Sequence, residues 1–354
     1  MRSAIIMVLW VLSGCRSTTD PVTPEAAPPQ PAVLASAGHV CPAPSPFKGI
    51  TKPRHDMVQF VRLLRQYADC KRPGFVLVPQ NAPELGVEAG YIDAVDGVAR
   101  EDLYYGADGD GVLTPADWTR AWQRDLDRFK RAGKVVLSVD YPFTDADRPQ
   151  DDAAALERVK AGYTQASARG YVHFAAVRAL NHPTVHAAFS PQPPKTARRT
   201  LSQVKSWLYM LQPAEGMSRA GYLEALASAG YDLIVTDPEH HGDPLSSEEV
   251  TALKQRSKAL LLAYLSIGEA ETYRAYWHPV WDAAVDGIPD PGAPRWLVGA
   301  NPQWPDNYTV RYWMPEWQAL VLERLDAIIE AGFDGAYLDL VDAYTCFESG
   351  RCTP

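Results

Sequence analysis

The residues best suited to chemistry in this sequence are carboxylates at the ends of apolar runs. Asp339 and Asp342 lie in the stretch Gly332–Tyr344, whose apolar, β-branched and aromatic residues are typical of a buried strand. An unpaired carboxylate in apolar surroundings is unfavourable by several kcal/mol, so a strand holds one only for a reason. Glu101 and Asp102 form another acidic pair at the end of an earlier run. Such groups predict acid–base or nucleophilic catalysis, the alternative for Asp339 and Asp342 being a cap on the next turn.

Apolar runs alternate with helical patterns along most of the chain. The helical pattern Trp317–Ala331, for example, ends at Gly332, where a helix C-cap is expected. Strand–helix alternation predicts a parallel sheet, and eight units favour an α/β fold of the (β/α)8 TIM-barrel type, with polar residues at the carboxyl rim. The eight runs are Phe75–Asn81, Tyr91–Gly106, Val135–Tyr141, Tyr171–Arg178, Trp207–Gln212, Tyr231–Asp237, Leu260–Glu269 and Gly332–Tyr344.

Composition narrows the class of function. The chain has 354 residues and a net charge of -9, which argues against a nucleic-acid partner. No G-x-G-x-x-G follows any strand, and no Cys or His spacing fits zinc, so we expect neither a cofactor nor a metal. The loop Gly106–Asp117 partly matches a calcium loop through Asp108 and Asp110, but Gly106 stands where its first Asp belongs.

The amino terminus predicts export. Residues 1–15 combine a basic start, a short apolar run and small residues, as in a signal peptide, and the run is too short to span a bilayer, which needs roughly 20 residues. Leu12–Cys15 resembles the bacterial lipobox, so we expect lipidation at Cys15 and an anchor in the cell envelope. Arg16 after the cysteine favours the outer membrane, and the alternative is plain secretion. Residues 16–49 are rich in Pro, Ala, Ser and Thr and predict a disordered tether.

Several long motifs resemble one known family. The chain is similar to the family 114 glycoside hydrolases, which are endo-α-1,4-polygalactosaminidase-like TIM barrels. The matching segments are Tyr264–Glu271, Trp304–Tyr308, Tyr312–Trp317 and Gly335–Tyr344, which resemble the first half of the family, and Val78–Glu84 and Ile92–Gly106, which resemble its second half.

The order of these halves is reversed relative to the family. We interpret this as a circular permutation in one domain, 50–354, with halves 50–181 and 205–345 joined by the Pro-rich linker 182–204. The strand that carries Asp339 should then lie beside the Phe75–Gln80 strand. The alternative is two incomplete half-barrels that need partner chains, whereas we expect a monomer.

The resemblance also implies a mechanism. It places an ionised nucleophile on Asp339 and the acid/base on Glu101, in a retaining endo-glycosidase that cleaves an α-linked amino-sugar polysaccharide. The alternatives are a glycosidase for another α-linked glycan and a surface lipoprotein that binds glycans without cleaving them.

Polar and aromatic residues near the predicted rim are candidates for substrate binding. The long segment 271–315 contributes aromatic faces of the kind that stack on sugar rings, although some of them are expected to be packing. The candidates are Asp237, Glu269, Gln80, Asn81, Asp140, Tyr141, Tyr209, Tyr264, Trp304, Tyr308 and Trp313.

The remaining cysteines fit an exported protein. The permuted order brings the chain's ends together, so we expect Cys346 or Cys352 to bond Cys41 or each other. Cys70 is expected to stay unpaired.

Overall fold

Parallel β-sheets form the centre of the fold in the computed structural model. The structure describes residues 41–45, 52–144, 153–183, 191, 193–197 and 200–353, so the predicted signal peptide and Cys15 lie outside the described residues. The described elements lie in one compact unit, Val40–Pro354. Its helices are α1 (Pro53–Lys71), α2 (Ala116–Arg131), α3 (Ala153–Arg169), α4 (Arg219–Ser228), α5 (Ser247–Ser257), α6 (Pro315–Ala331) and α7 (Tyr344–Glu348). Its strands are β1 (Val76–Pro79), β2 (Gly97–Glu101), β3 (Val135–Asp140), β4 (Val172–Ala175), β5 (Trp207–Tyr209), β6 (Leu233–Thr236), β7 (Glu239–His240), β8 (Asp243–Pro244), β9 (Leu260–Ser266), β10 (Glu269–Glu271), β11 (Leu297–Asn301), β12 (Trp304–Val310) and β13 (Gly335–Asp339).

Two sheets contain all the strands that were predicted to form the barrel. A five-stranded sheet has the order β1-β13-β9-β6-β5, and a three-stranded sheet has the order β2-β3-β4. Every pairing within them is parallel. Strand β13 pairs directly with β1, so the strand that carries Asp339 does lie beside the Phe75–Gln80 strand. The first residue of β13 is Gly335. A side chain would not fit there, because a Cβ would lie 2.3 Å from the carbonyl oxygen of Val76.

The two sheets meet at the carboxyl end of β1. Gln80 and Ala99 form a parallel bridge, and the Asn81 amide donates to the Ala99 carbonyl at 2.8 Å. At the opposite edges, the Trp207 indole of β5 donates to the Ser138 carbonyl of β3 at 3.2 Å. Trp207 also packs edge-on against Phe174 of β4. The arrangement is a mixed α/β fold with parallel sheets, compatible with a (β/α)8 barrel.

The observed strands are shorter than the predicted runs. The largest difference is in Tyr91–Gly106, where only Gly97–Glu101 is strand and Ile92–Ala94 is a 3-10 turn. The Asp96 carboxylate explains the break, because it accepts the Leu77 amide at 2.8 Å and the Arg65 guanidinium at 3.1 Å. Asp342 likewise lies beyond its strand, in the 3-10 turn Val341–Ala343.

The segment 271–315 adds a small antiparallel sheet, β10-β12-β11, outside the parallel ones. Several of its tryptophans pack on one another and on α6, which was the expected alternative to sugar binding. Trp281 lies edge-on to Trp296 at 5.3 Å, and Trp296 lies 5.0 Å from Trp317.

The described amino- and carboxyl-terminal ends of the unit are in contact. Arg54 at the start of α1 pairs with Glu348 of α7 at 3.2 Å. Cys346 bonds Cys352, one of the two expected outcomes, but Cys41 bonds Cys70, so the expectation of an unpaired Cys70 was wrong. Cys70 lies in the last turn of α1, within reach of the segment that precedes this helix. Within the described residues, no helix is long and apolar enough to cross a membrane.

Candidate active site

Asp339 is the last residue of β13 and is held by two donors. The Tyr264 hydroxyl of neighbouring β9 donates to its Oδ2 at 2.7 Å, and the Leu340 amide donates to its Oδ1 at 2.7 Å. Leu340 has a positive φ of 59°, which ends the strand and turns the chain there. Asp339 remains partly open to solvent. The side chain is therefore fixed in orientation at the carboxyl edge of the sheet.

Glu101 is the last residue of β2 and is also partly open. The Tyr141 hydroxyl, which follows β3, donates to its Oε1, and the Asn81 amide donates to its Oε2 at 3.3 Å. Asn81 also accepts the Glu101 backbone amide at 3.2 Å, so one side chain holds both ends of this residue. Asn81 has a positive φ of 62°.

Asp339 and Glu101 end strands that flank β1 on either side. Between them lies Gln80, which is buried and accepts the Tyr209 hydroxyl of β5 at 2.8 Å. Tyr209 in turn packs on Tyr337, with ring centroids 5.0 Å apart. Gln80, held by Tyr209, thus lies between the strand ends that carry the two carboxyl groups.

The negative charge of Glu101 affects the pKa of Asp339. Burial raises the pKa of Asp339 well above its usual range, and the negative charge of Glu101 raises it further. The hydrogen bond from Tyr264 and the Leu340 amide oppose this rise in pKa. The direction is opposite to the expectation of an ionised Asp339. Burial and the negative charge of Glu101 both favour the protonated form of Asp339.

Arg178, just beyond β4, supports the Glu101 side of the site, and sequence reasoning assigned it no role. Its guanidinium carbon lies 3.9 Å from the ring centroid of Tyr141. It also donates to Asp110 at 2.6 Å and to Asp102 at 3.1 Å. Arg178 therefore ties the loop after β2 to the tyrosine that holds Glu101. Asp110 of the partial calcium loop is engaged by this arginine, and no group of residues within the described ranges is arranged to hold a metal.

Glu269 is a buried acidic residue near the site, and one of its two carboxylate oxygens has no hydrogen-bond partner within the described residues. It is 4% exposed, and its Oε1 accepts the Asn301 amide at 3.0 Å. Its Oε2 is buried and has no hydrogen-bond partner within the described part of the chain. Burial raises the pKa of Glu269 to about 7, and the negative charge of Asp342 contributes.

Asp237 is engaged in a different way. Its two oxygens accept the Arg274 guanidinium at 2.8 and 2.7 Å, and Arg274 also donates to Glu271 at 2.7 Å. The side chain of Arg274 is 1% exposed, so this ion pair is fully enclosed. Asp237 therefore has a protein partner for both oxygens and serves to anchor the segment after β10.

Asp140 is also enclosed, at the end of β3. Its Oδ1 accepts the Tyr104 amide at 2.9 Å, and its Oδ2 lies 3.7 Å from the His173 Nε2. Burial raises the pKa of Asp140 to about 8 and lowers the pKa of His173 to about 3. Both groups are thus neutral at moderate pH. His173 of this pair packs beside the edge-on rings of Tyr104 and Tyr163.

We predict that Asp140→Asn changes how stability depends on pH. Between its ordinary value of 3.8 and its folded value of about 8, Asp140 is protonated in the folded state and ionised in the unfolded state. Its contribution to the free energy of unfolding therefore falls as pH rises through this range. Asparagine is neutral throughout. The unfolding midpoint of the variant should rise relative to the wild type from pH 5 to pH 8, while exposed Asp93→Asn should show no such trend. Parallel profiles for Asp140→Asn and wild type would contradict the assignment.

The three candidate aromatic residues have different environments. Trp304 lies at the tip of the β11–β12 hairpin and is 55% exposed. Tyr308 is buried, packs on Trp277 at 4.7 Å and donates to Asp282. Trp313 is buried against Phe347 at 4.7 Å. Of the three, only Trp304 exposes an aromatic face to solvent. The rings of Tyr308 and Trp313 pack against other aromatic residues of the fold.

Residues 186–353 match the model of glycoside-hydrolase family GH114. The match supports assignment of this part of the chain to the family. It includes Asp339, Tyr264 and Glu269 but not Glu101.

The chain is also similar to proteins from three named organisms. The chain is 40% identical over 159 residues to an uncharacterized protein of Deinococcus radiodurans, a match that covers 44% of this chain and 46% of that protein. It is 40% identical over 141 residues to one of Methanocaldococcus jannaschii, covering 39% and 36%, and 34% identical over 142 residues to one of Thermotoga maritima, covering 39% and 39%. The chain thus spans less than half the length of each relative.

A comparison with solved structures adds little. The structure of the U32 peptidase Mk0906 aligns with 75% of this chain and 92% of its own, at 14% identity and a TM-score of 0.35. A similarity this weak carries no argument about fold or function.

Proposed function

We propose that this protein is a retaining endo-glycosidase that cleaves an α-linked amino-sugar polysaccharide of the galactosaminan type. The observation that carries the proposal is the pair Asp339 and Glu101. They end strands on either side of β1, each is held by a tyrosine hydroxyl, and they interact electrostatically. Hydrolysis of a glycosidic bond needs two such groups in different protonation states.

The proposed reaction has two steps. In the first, the ionised Asp339 forms a bond to the anomeric carbon while the glycosidic C–O bond breaks and Glu101 gives its proton to the leaving oxygen. In the second, Glu101 takes a proton from water, the water oxygen attacks the anomeric carbon, and Asp339 is released. Tyr264 and the Leu340 amide stabilise the charge on Asp339 each time it is an anion.

The raised pKa of Asp339 favours a cationic substrate. Asp339 must lose its proton to attack, yet burial and Glu101 raise its pKa. An ammonium group of an amino sugar bound nearby would lower the pKa of Asp339 and so favour the reactive form. Glu269, whose buried Oε2 lacks a partner, is a second carboxyl group that such a ligand would complement.

The test is the release of reducing ends from a panel of polysaccharides. A polymer of α-1,4-linked galactosamine should be cleaved, and its N-acetylated form should be cleaved less well because it lacks the positive charge. Cleavage of a neutral α-linked glycan alone would favour the alternative glycosidase. Binding without cleavage would favour a glycan-binding lipoprotein.

We further propose that the two sheets close into a circularly permuted (β/α)8 barrel. Three observations support this: the Gln80–Ala99 bridge, the contact of Trp207 with β3, and the contact between Arg54 and Glu348 at the chain's ends. The family match to residues 186–353 alone agrees with a chain in which the halves are exchanged.

The permutation predicts that the chain can be rearranged without loss of fold. A variant with the order 200–353, a short Gly-Ser joint and then 52–183 should have the far-UV spectrum and the activity of a control that has the natural order. Both proteins lack residues 1–51 and carry Cys70→Ser, because Cys41 is removed. A rearranged chain that is unfolded while the control folds would contradict the proposal.

We also propose that the mature protein is anchored through a lipid on Cys15. The anchor depends on the cysteine because the short apolar run before it cannot hold the protein in a membrane. Cys15→Ser should therefore move the protein from the membrane fraction to the soluble fraction, or block its maturation. An unchanged membrane fraction for Cys15→Ser would argue against lipidation.

A further inference from the structure

The first turn of α2 carries a tryptophan that the fold leaves open to solvent. Trp118 is 44% exposed, and its ring lies 5.9 Å from that of Trp122, one turn further along the helix. Its exposed neighbours on the helix, Asp117 and Arg120, are polar. The indole ring of Trp118 has the size and chemistry to stack on one sugar ring.

Trp118 lies on the side of the fold that carries the candidate active site. Helix α2 follows β2 and therefore begins at the end of the sheet where Glu101 lies. Its first turn is fixed to the residues directly after Glu101. The Thr119 hydroxyl donates to the Leu103 carbonyl at 2.9 Å, and the Thr114 hydroxyl donates to the Asp102 carbonyl at 2.7 Å.

A continuous series of contacts connects Trp118 with Glu101. Beyond Trp122, the Arg100 guanidinium carbon lies 3.6 Å from the Trp122 ring centroid. Arg100 donates to the Asn81 side-chain oxygen at 3.2 Å, and Asn81 donates to Glu101 at 3.3 Å. Arg100 covers one face of Trp122, so the open aromatic face in this series belongs to Trp118.

We propose that Trp118, held against Trp122, is a stacking subsite for a sugar ring of the bound polymer, at a distance from the bond that is cleaved. This inference rests on the proposed glycosidase function. The subsite touches neither Asp339 nor Glu101, so it contributes to the binding of long chains and leaves the chemical step unchanged. Its occupant is a pyranose ring, whose C–H face packs on the indole.

The test compares polymer with short substrate. Trp118→Ala should raise KM for the polymer and weaken its binding to the inactive Asp339→Asn protein by about fivefold to tenfold, the range expected for one stacked ring. The kcat value, and the cleavage of the shortest oligosaccharide that the wild type accepts, should not change. Trp118→Phe keeps an aromatic face and should retain most of the affinity. Leu113→Ala, which alters a 61% exposed apolar residue of the loop before α2, is the control and should match the wild type.

Two results would overturn the subsite. One is polymer binding by Trp118→Ala equal to that of the parent protein. The other is an equal loss on polymer and on the shortest oligosaccharide, which would indicate a structural defect near Glu101. A wild type that cleaves nothing on the polysaccharide panel, with an Asp339→Asn protein that binds nothing, would instead remove the proposed function and the subsite with it. That failure is recognised without any Trp118 variant.

Discussion

Asp339→Asn and Glu101→Gln should each abolish hydrolysis while the protein stays folded. Asparagine lacks the anionic oxygen that attacks the anomeric carbon, and glutamine cannot deliver a proton to the leaving group. Loss of a general acid lowers kcat by about 10²–10⁴-fold, and loss of the nucleophile should do at least as much. Both substitutions keep the side-chain volume and the acceptor for Tyr264 or Tyr141.

The pair of variants can also separate the two roles. A substrate with a good leaving group needs little protonation, so Glu101→Gln should retain its first step on such a substrate and Asp339→Asn should not. Glu323→Gln, an exposed glutamate on α6, is the matched control and should be fully active. Near-normal turnover by either site variant, on a polymer that the wild type cleaves, would show that the residue is wrongly assigned.

Arg274→Met should be strongly destabilising. Methionine removes the positively charged partner of Asp237 and Glu271, whose carboxylates would keep only the neutral donors Glu239 N–H and Tyr273 O–H. Removal of one member of a buried ion pair lowers the free energy of unfolding by about 3–5 kcal/mol. Chemical denaturation of the variant and the wild type measures the difference directly.

The control for this prediction is an arginine–glutamate ion pair on the surface. Arg256 pairs with Glu224, and both side chains are more than half exposed, at 51% and 59%. Arg256→Met should therefore change the free energy of unfolding by at most about 1 kcal/mol. Adding Asp237→Asn and Glu271→Gln to Arg274→Met should restore part of the loss. Equal effects at Arg274 and Arg256 would mean that the enclosed pair does not hold the segment after β10.

The parallel part of the fold could be predicted from sequence because its strands are buried on both faces. A buried strand must be a nearly unbroken apolar run, and each of the eight predicted runs contains an observed strand. The strand limits could not be predicted in the same way. The strand in the Tyr91–Gly106 run starts late, after Asp96, because Asp96 binds Leu77 and Arg65, which are distant in sequence. The short antiparallel strands β11 and β12 were missed because many of their residues are polar or partly exposed.

The residues of the candidate site also differ in whether the sequence alone could assign them a role. Asp339 and Glu101 are conspicuous because they end apolar strands, and a family resemblance gives them roles. Asp140 ends a strand and Asp237 follows one, but their carboxyl groups contact His173 and Arg274. Tertiary packing places those partners, so the sequence does not reveal them. The supporting roles of Arg178 and Arg100 depend on stacking with Tyr141 and Trp122, which no spacing along the chain reveals.

The most direct test of the account is to trap the covalent intermediate. The Glu101→Gln protein, given an α-linked amino-sugar substrate with a good leaving group, should accumulate a glycosyl ester because it lacks the base for the second step. Mass spectrometry of its proteolytic peptides should place one sugar on the peptide that contains Asp339. A sugar on another residue would contradict the assignment of the nucleophile. An unlabelled enzyme that releases a product of inverted anomeric configuration would contradict the retaining mechanism itself.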